Sequence, residues 1–96
     1  LKEKLDAKED MLILDVREPD EFRAGHLPGA VNVSLNKIDE KIKNFSKDKM
    51  TIVYSRTGRR SYISSEKLNK NGFTKVRNLL GGIVIWERKG YSVTVK

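Results

Sequence analysis

A short apolar run that ends in an arginine-rich loop constrains the fold of this chain more than any other feature. The run is Thr51–Tyr54, the loop covers residues 55–60, and a helix-like segment begins at Arg59 or Arg60. A loop of this kind directs several backbone N–H groups at one point, and the new helix adds the positive end of its dipole. The segment therefore predicts a strand, an anion-binding loop and a helix in direct succession.

Strand-like and helix-like segments also alternate along the rest of the chain. Such alternation predicts an α/β fold with a mostly parallel central sheet and helices on both of its faces. Ligands in these folds bind where strand carboxyl ends meet helix amino ends, which is where residues 55–60 fall. The predicted strands are residues 11–14, 30–33, 51–54 and 75–79, and the predicted helices are residues 19–24, 35–42, 59–69 and 82–88.

The residue pattern supports several finer expectations. Residues 1–7 have the spacing of a short amphipathic helix, and residues 91–95 alternate as an edge strand would. In the helix that follows the arginine-rich loop, Ile63 and Leu68 are expected to face inward. Trp86 is expected to pack in the core.

Composition limits the class of protein. At 96 residues with 38% hydrophobic side chains, the chain is predicted to form one domain over residues 1–96. No apolar run approaches the roughly 20 residues of a membrane span, and residues 1–10 do not resemble a signal peptide. We therefore expect a cytoplasmic location and no association with a membrane.

The charge of the chain favours an anionic partner. Its net charge is +7, from 20 basic and 13 acidic side chains, yet most lysines are scattered among acids. Nucleic-acid binding is not expected, because no basic stripe with interleaved aromatic residues is present. The dense basic cluster, Arg56 with Arg59 and Arg60, fits one small anion better. With no cysteine and one histidine, the sequence implies no metal site and no organic cofactor.

The arginine-rich loop resembles the active-site loop of rhodanese-type sulfurtransferases, which reads Cys-Arg-x-Gly-x-Arg-Ser. Arg56, Gly58, Arg60 and Ser61 match that pattern, and Ser55 stands at the position of the cysteine. The loop length also favours this family. Four residues separate positions 55 and 60, whereas cysteine-dependent phosphatases place five between the nucleophile and the arginine.

Two further blocks agree with the same family, in the same order. Residues 14–32 resemble its Asp-x-Arg-Glu…Gly-His-Leu-x-Gly-Ala-x-Asn signature, and residues 68–86 resemble its closing Gly-Phe…Leu-x-Gly-Gly-Ile-x-x-Trp block. The resemblance covers roughly residues 12–89. Rhodanese domains usually open with a short strand before the first helix. This chain starts too late to show it clearly, which is consistent with a truncated N-terminus and with a piece cut from a multidomain protein.

The resemblance implies a fold and an activity. The fold is the rhodanese-like α/β sheet, and the reaction moves sulfane sulfur from thiosulfate or a persulfide donor to a thiol or cyanide acceptor, through a cysteine persulfide at position 55. It also implies that His26 ties its turn to neighbouring backbone. By the same resemblance, the substrate-binding residues are Arg56, Thr57, Gly58, Arg59 and Arg60, with Arg59 facing solvent, and the supporting residues are Asp15, Arg17 and Ser61.

Some of these roles have alternatives. Asp15 and Arg17 either support the loop or form a local ion pair with Glu18 or Glu21. Ser55 cannot carry a persulfide, and a serine nucleophile would need a base that the sequence does not supply near it. The chain therefore reads as an inactive Cys-to-Ser variant. Ser55 has two explanations. We favour an engineered Cys-to-Ser substitution, because the two side chains are isosteric. The alternative is a natural non-catalytic binding or regulatory module.

Overall fold

The computed structural model describes residues 10–95, so the helix predicted within residues 1–7 lies outside the described part. Strands and helices alternate in it as the sequence predicts. The strands are β1 (Leu12–Asp15), β2 (Val31–Asn32), β3 (Thr51–Tyr54) and β4 (Val76–Asn78). The α-helices are α1 (Pro19–Ala24), α2 (Ile38–Lys41), α3 (Arg59–Lys70) and α4 (Gly82–Arg88), and single 3-10 turns flank α2 at Leu35–Lys37 and Ile42–Asn44.

The four strands form one parallel sheet in the order β2-β1-β3-β4. Leu14 pairs with both Val31 and Val53, and Val53 pairs in turn with Asn78, so β1 and β3 lie at the centre. All carboxyl ends therefore lie at the same edge of the sheet, and the loop that follows β3 opens there between two neighbouring strands. The predicted α/β fold is confirmed.

Alternate residues of the central strands fill two apolar clusters, one on each face of the sheet. Leu14 and Val53 pack with side chains from α2 and α3, including the fully buried Ile38 and Leu68. The opposite cluster contains Ile13, Ile52 and Tyr54, together with Ile83 and Trp86 of α4. Helices thus cover both faces, as predicted, and burial of Trp86 in the core is confirmed.

Helix α3 turns a face of small residues toward the sheet, which corrects one expectation. Ser61, Ser64, Ser65 and Leu68 are buried, whereas Ile63 is 38% exposed. The buried positions follow the i, i+3, i+4, i+7 spacing of one helix face, and position 63 lies off that face. The inward assignment of Ile63 is therefore wrong, and that of Leu68 is confirmed. Serines allow the first turns of α3 to approach the sheet closely beside the arginine-rich loop.

The carboxyl-terminal segment is not the strand that its alternation predicted. Among residues 91–95, only Thr94 forms a bridge, an isolated antiparallel one with His26. Val93 packs against the same apolar cluster as Trp86, and the indole N–H of Trp86 donates to the carbonyl of Ser92 at 3.0 Å. The segment follows the α4 face of the domain instead of a sheet edge, so the expected strand is wrong. Within residues 10–95, no helix combines the length and apolar character needed to cross a bilayer.

Candidate active site

The side chain of Ser55 lies at the centre of the loop between β3 and α3. It is 1% exposed, and its Oγ accepts hydrogen bonds from the backbone N–H groups of Gly58 at 3.1 Å and Ser61 at 3.2 Å. Ser55 Oγ also donates to Ser61 Oγ at 3.2 Å. Two amides and a hydroxyl thus surround the side-chain atom of residue 55. The two amide donors suit an atom that carries negative charge.

The first turn of α4 holds the backbone of this loop in place through hydrogen bonds to two of its carbonyl groups. The N–H groups of Ile83 and Val84 donate to the carbonyls of Ser55 and Arg56, at 3.0 and 3.1 Å. Gly82 makes this approach possible, because a Cβ there would overlap both carbonyl oxygens. With those carbonyls held by α4, the loop keeps the orientation that presents its amides to the Ser55 side chain.

Amide donors remain unused around the same point. Over residues 10–95, the backbone N–H groups of Arg56, Thr57, Arg59 and Arg60 donate to no protein acceptor. They belong to the loop itself and to the first turn of α3. The arrangement can therefore bind an anion at the mouth of the loop, through amides and the positive end of a 12-residue helix.

The three arginines of the loop differ in what they contact. Arg56 and Arg59 are exposed and form no ion pair with any residue between 10 and 95, so the solvent-facing position expected for Arg59 is confirmed. Thr57 is exposed as well. Arg60 instead pairs with Glu21 in two hydrogen bonds, of 2.6 and 3.1 Å. Arg60 therefore joins the start of α3 to α1, whereas Arg56 and Arg59 are the loop arginines without an ion pair over residues 10–95.

Glu21 holds two parts of the site together. Its carboxylate accepts from Arg60 and from the backbone N–H of Glu18, which completes a capping box at the start of α1, where Pro19 takes the first turn as predicted. The hydrogen bond from Arg60, with a smaller contribution from the Glu18 amide, lowers the pKa of Glu21 to about 2. The Glu21–Arg60 pair is therefore charged over the whole range in which most proteins function.

We expect Glu21→Gln to destabilise the fold by about 1 kcal/mol, because the side chains of Arg60 and Glu21 are 32% and 29% exposed and solvent screens the pair. Gln keeps an oxygen for the capping box and for Arg60 Nη1, but it removes the charge and the second oxygen that accepts from Arg60 Nη2. The folded-state pKa lies below the ordinary 4.5, so the stabilisation is complete above pH 4.5 and is lost as the pH falls toward 2. Denaturant unfolding of both proteins across this range measures the difference, and a gap that stays constant down to pH 2 would contradict this assignment.

A buried charged network lies beneath the loop. Asp15 is fully buried, and Arg17 Nη2 donates to its Oδ2 at 2.7 Å and to the carbonyl of Gly25 at 2.7 Å. The Tyr54 hydroxyl donates to the same Asp15 oxygen at 2.7 Å and accepts from the Leu27 amide at 3.1 Å. Burial and the Asp15 carboxylate raise the pKa of Tyr54 well above its ordinary value. The phenol therefore stays protonated.

This network bears on the two roles considered for Asp15 and Arg17, support of the loop and a local ion pair with Glu18 or Glu21. Arg17 pairs with Asp15 itself, so the local ion pair with Glu18 or Glu21 is wrong. The network instead fixes Tyr54, which directly precedes the loop, to the turn at residues 25–27. In that turn His26 Nδ1 lies 2.8 Å from the carbonyl of Phe22, which confirms that this histidine ties its turn to neighbouring backbone. Asp15 and Arg17 lie beneath the loop, and their side chains hydrogen-bond to each other, to Tyr54 and to the carbonyl of Gly25.

Sequence reasoning did not assign three residues that the structure brings to the site. The sequence pattern assigns Tyr54 only to a strand and Gly82 only to a motif, and it does not single out Asn78. Asn78 ends β4 beside the loop, and its Oδ1 accepts from Ser61 Oγ at 2.6 Å. A polar residue at the carboxyl end of a strand next to the loop strand is the signal that could have found it.

Comparison with known proteins agrees with this architecture. The rhodanese-like domain family model matches residues 1–89. A sulfurtransferase from Allochromatium vinosum is 34% identical over 93 residues, which are 97% of this chain and 87% of that protein. The thiosulfate sulfurtransferase GlpE of Coxiella burnetii is 32% identical over 80 residues, 83% of this chain and 75% of the relative.

A solved structure leads to the same family. The crystal structure of a rhodanese-related protein from Thermoplasma volcanium superposes with a TM-score of 0.90 at 32% identity, and covers 100% of this chain and 92% of that one. Fold, loop and relatives coincide over nearly the whole sequence. The chain belongs to the rhodanese-like domain family.

Proposed function

We propose that this scaffold performs sulfane-sulfur transfer through a cysteine at position 55, and that the present chain, with Ser55, is its inactive form. The observation that supports this most is the cradle around Ser55 Oγ. A buried side-chain atom that accepts hydrogen bonds from two backbone N–H groups, at the start of a helix, has the environment that stabilises a thiolate. Two exposed arginines beside it suit an oxyanion donor.

The proposed reaction has two displacement steps. In a protein with cysteine at position 55, the thiolate attacks the outer sulfur of thiosulfate. A new S–S bond forms to the protein, the S–S bond of thiosulfate breaks, and sulfite leaves with the bonding electrons. Cyanide or a thiolate acceptor then attacks the outer sulfur of the persulfide. Thiocyanate or an acceptor persulfide leaves, and the protein thiolate is regenerated without any external oxidant or reductant.

Ser55 stops this sequence at its first step. A hydroxyl is far less acidic than a thiol, and a serine nucleophile requires a neighbouring base. The single histidine, His26, is 4% exposed, and its Nδ1 lies 2.8 Å from the carbonyl oxygen of Phe22. Ser55 Oγ instead directs its own proton to Ser61 Oγ. Among residues 10–95, the partners of the Ser55 hydroxyl are the amides of Gly58 and Ser61 and the hydroxyl of Ser61, none of which is a base.

The proposed donor is a small sulfur-containing anion such as thiosulfate, and the proposed acceptor is a thiol or cyanide. The name of the Coxiella relative, a thiosulfate sulfurtransferase, and the positive charge around the loop support this choice. A cytoplasmic location and a place within a longer, multidomain protein stay predictions of the sequence.

The test is thiocyanate formation from thiosulfate and cyanide. We expect Ser55→Cys to turn over and the unaltered chain to show none. Ser46→Cys, which puts a thiol at an exposed position, is the matched control and should also be inactive. Mass spectrometry after thiosulfate treatment should show one added sulfur atom on Ser55→Cys alone. A folded Ser55→Cys protein that forms no persulfide would refute the proposal.

The second candidate is a non-catalytic binding module. Leu80 is 84% exposed, and it lies two residues before Gly82, whose backbone contacts the loop. Burial of this side chain against a partner protein would remove apolar surface from water beside the anion site. Silence of Ser55→Cys in the turnover assay, with the fold retained, would favour this function over sulfur transfer.

A further inference from the structure

The hydroxyl of Ser61 lies among three oxygen atoms. Its Oγ is 2.6 Å from Asn78 Oδ1, 3.0 Å from the carbonyl oxygen of Gly58 and 3.2 Å from Ser55 Oγ. Ser61 itself is fully buried, and Asn78 is half-buried at the end of β4. The hydroxyl of Ser61 therefore bridges residue 55 to residue 78.

One proton decides how these contacts are arranged. A serine hydroxyl has a single hydrogen to donate, and an amide oxygen can only accept. The 2.6 Å separation from Asn78 Oδ1 assigns the Ser61 proton to that oxygen. Ser61 Oγ then accepts from Ser55 Oγ, so the proton chain runs from residue 55 through Ser61 to Asn78. This direction holds while residue 55 is neutral and has a proton.

A negative charge at residue 55 would reverse this direction. An anion at that position has no proton, so it would attract the Ser61 hydrogen. Ser61 Oγ would then face Asn78 Oδ1 lone pair to lone pair, unless the Asn78 amide turned over and donated through Nδ2. Asn78 Nδ2 now lies 3.5 Å from the carbonyl of Gly58, a weak contact that does not hold the amide strongly in place.

We propose that Asn78 is a positioning residue whose amide follows the charge of residue 55. It accepts from Ser61 when residue 55 is neutral and donates to Ser61 when residue 55 is anionic. In the anionic state the chain of donors becomes Asn78 Nδ2, Ser61 Oγ and then the thiolate. Asn78 thereby lowers the pKa of a thiol at position 55 without contacting it. The proposal rests on the proposed function in taking a thiolate as the working state.

The first test measures the thiol pKa in the Ser55→Cys protein, from the pH dependence of alkylation by iodoacetamide. Asn78→Asp in this background presents only acceptors to Ser61 and adds a negative charge, so the thiol pKa should rise by about one unit or more. Asn69→Asp introduces the same charge on an exposed position of α3 and should change the pKa by no more than about 0.3. Equal pKa values for Asn78→Asp and the parent would overturn the proposal.

The second test separates a relay through Ser61 from a general effect on packing. Asn78→Leu removes the donor without adding charge and should also raise the thiol pKa. In a Ser61→Ala background the same substitution should have no further effect, because the connecting hydroxyl is gone. An undiminished effect in that background would overturn the relay. Asn78→Ala replaces Asn78→Leu if the larger side chain prevents folding.

Alkylation by iodoacetamide measures the ionisation of the thiol without requiring turnover. A protein whose thiol pKa responds to Asn78 as expected but that forms no thiocyanate would refute sulfur transfer and support the relay. A protein that turns over but whose thiol pKa does not respond to substitution of Asn78 would support sulfur transfer and refute the relay.

Discussion

Asp15→Ala is expected to destabilise the fold by about 3–5 kcal/mol, a large part of the stability of a small domain. The substitution leaves the guanidinium of Arg17, which is 6% exposed, without its buried carboxylate. It also removes the acceptor of the Tyr54 hydroxyl. An unpaired buried charge and an unpaired buried hydroxyl both carry desolvation costs that water cannot offset, since the network lies under the loop and away from solvent.

Urea unfolding followed by circular dichroism measures this effect. The matched control is Asp39→Ala, because Asp39 also pairs with a cation, Lys67, at 3.1 Å but is 73% exposed. Its loss should cost less than about 1 kcal/mol. Similar losses for the two variants would show that burial of the Asp15 network contributes little, and would contradict the role assigned to it here.

Gly82→Ala is expected to inactivate the loop even when position 55 carries a cysteine. The added Cβ would overlap the carbonyl oxygens of Ser55 and Arg56, and the backbone φ of +59° disfavours any residue with a Cβ. The loop must move away from α4, which breaks the hydrogen bonds from Ile83 and Val84. A displacement of about 1 Å in a catalytic loop can cost roughly a hundredfold in rate.

Thiocyanate formation in the Ser55→Cys background measures the loss. Gly90→Ala is the control, because Gly90 has a similar φ of +78° but no atom within 4 Å of the added Cβ. Gly90→Ala should reduce stability by about 1 kcal/mol through its backbone strain and leave the rate of sulfur transfer unchanged. If both variants retain the full rate, the close approach of α4 is not what positions the loop.

The arrangement of strands and helices followed from local patterns. The apolar run Thr51–Tyr54 and the glycine within the loop have strong short-range preferences, and parallel strands bring their carboxyl ends to one edge without further information. The helix face was harder to assign. Ser64 and Ser65 face the sheet while Ile63 does not, because close packing of α3 favours small side chains over apolar ones. Hydrophobicity alone points to the wrong side of that helix.

The loop is predictable from the sequence because its residues are contiguous: the order strand, glycine-containing turn and helix already places Ser55 among backbone amides. The contacts that hold the loop in place depend on the tertiary structure. The bonds from Arg60 to Glu21 and from Tyr54 to Asp15 each join residues 39 apart in the chain, and Asn78 reaches Ser61 across 17 residues. Such pairs depend on strand order and register, which bring distant segments together by burial of both faces of the sheet. No local spacing encodes these contacts.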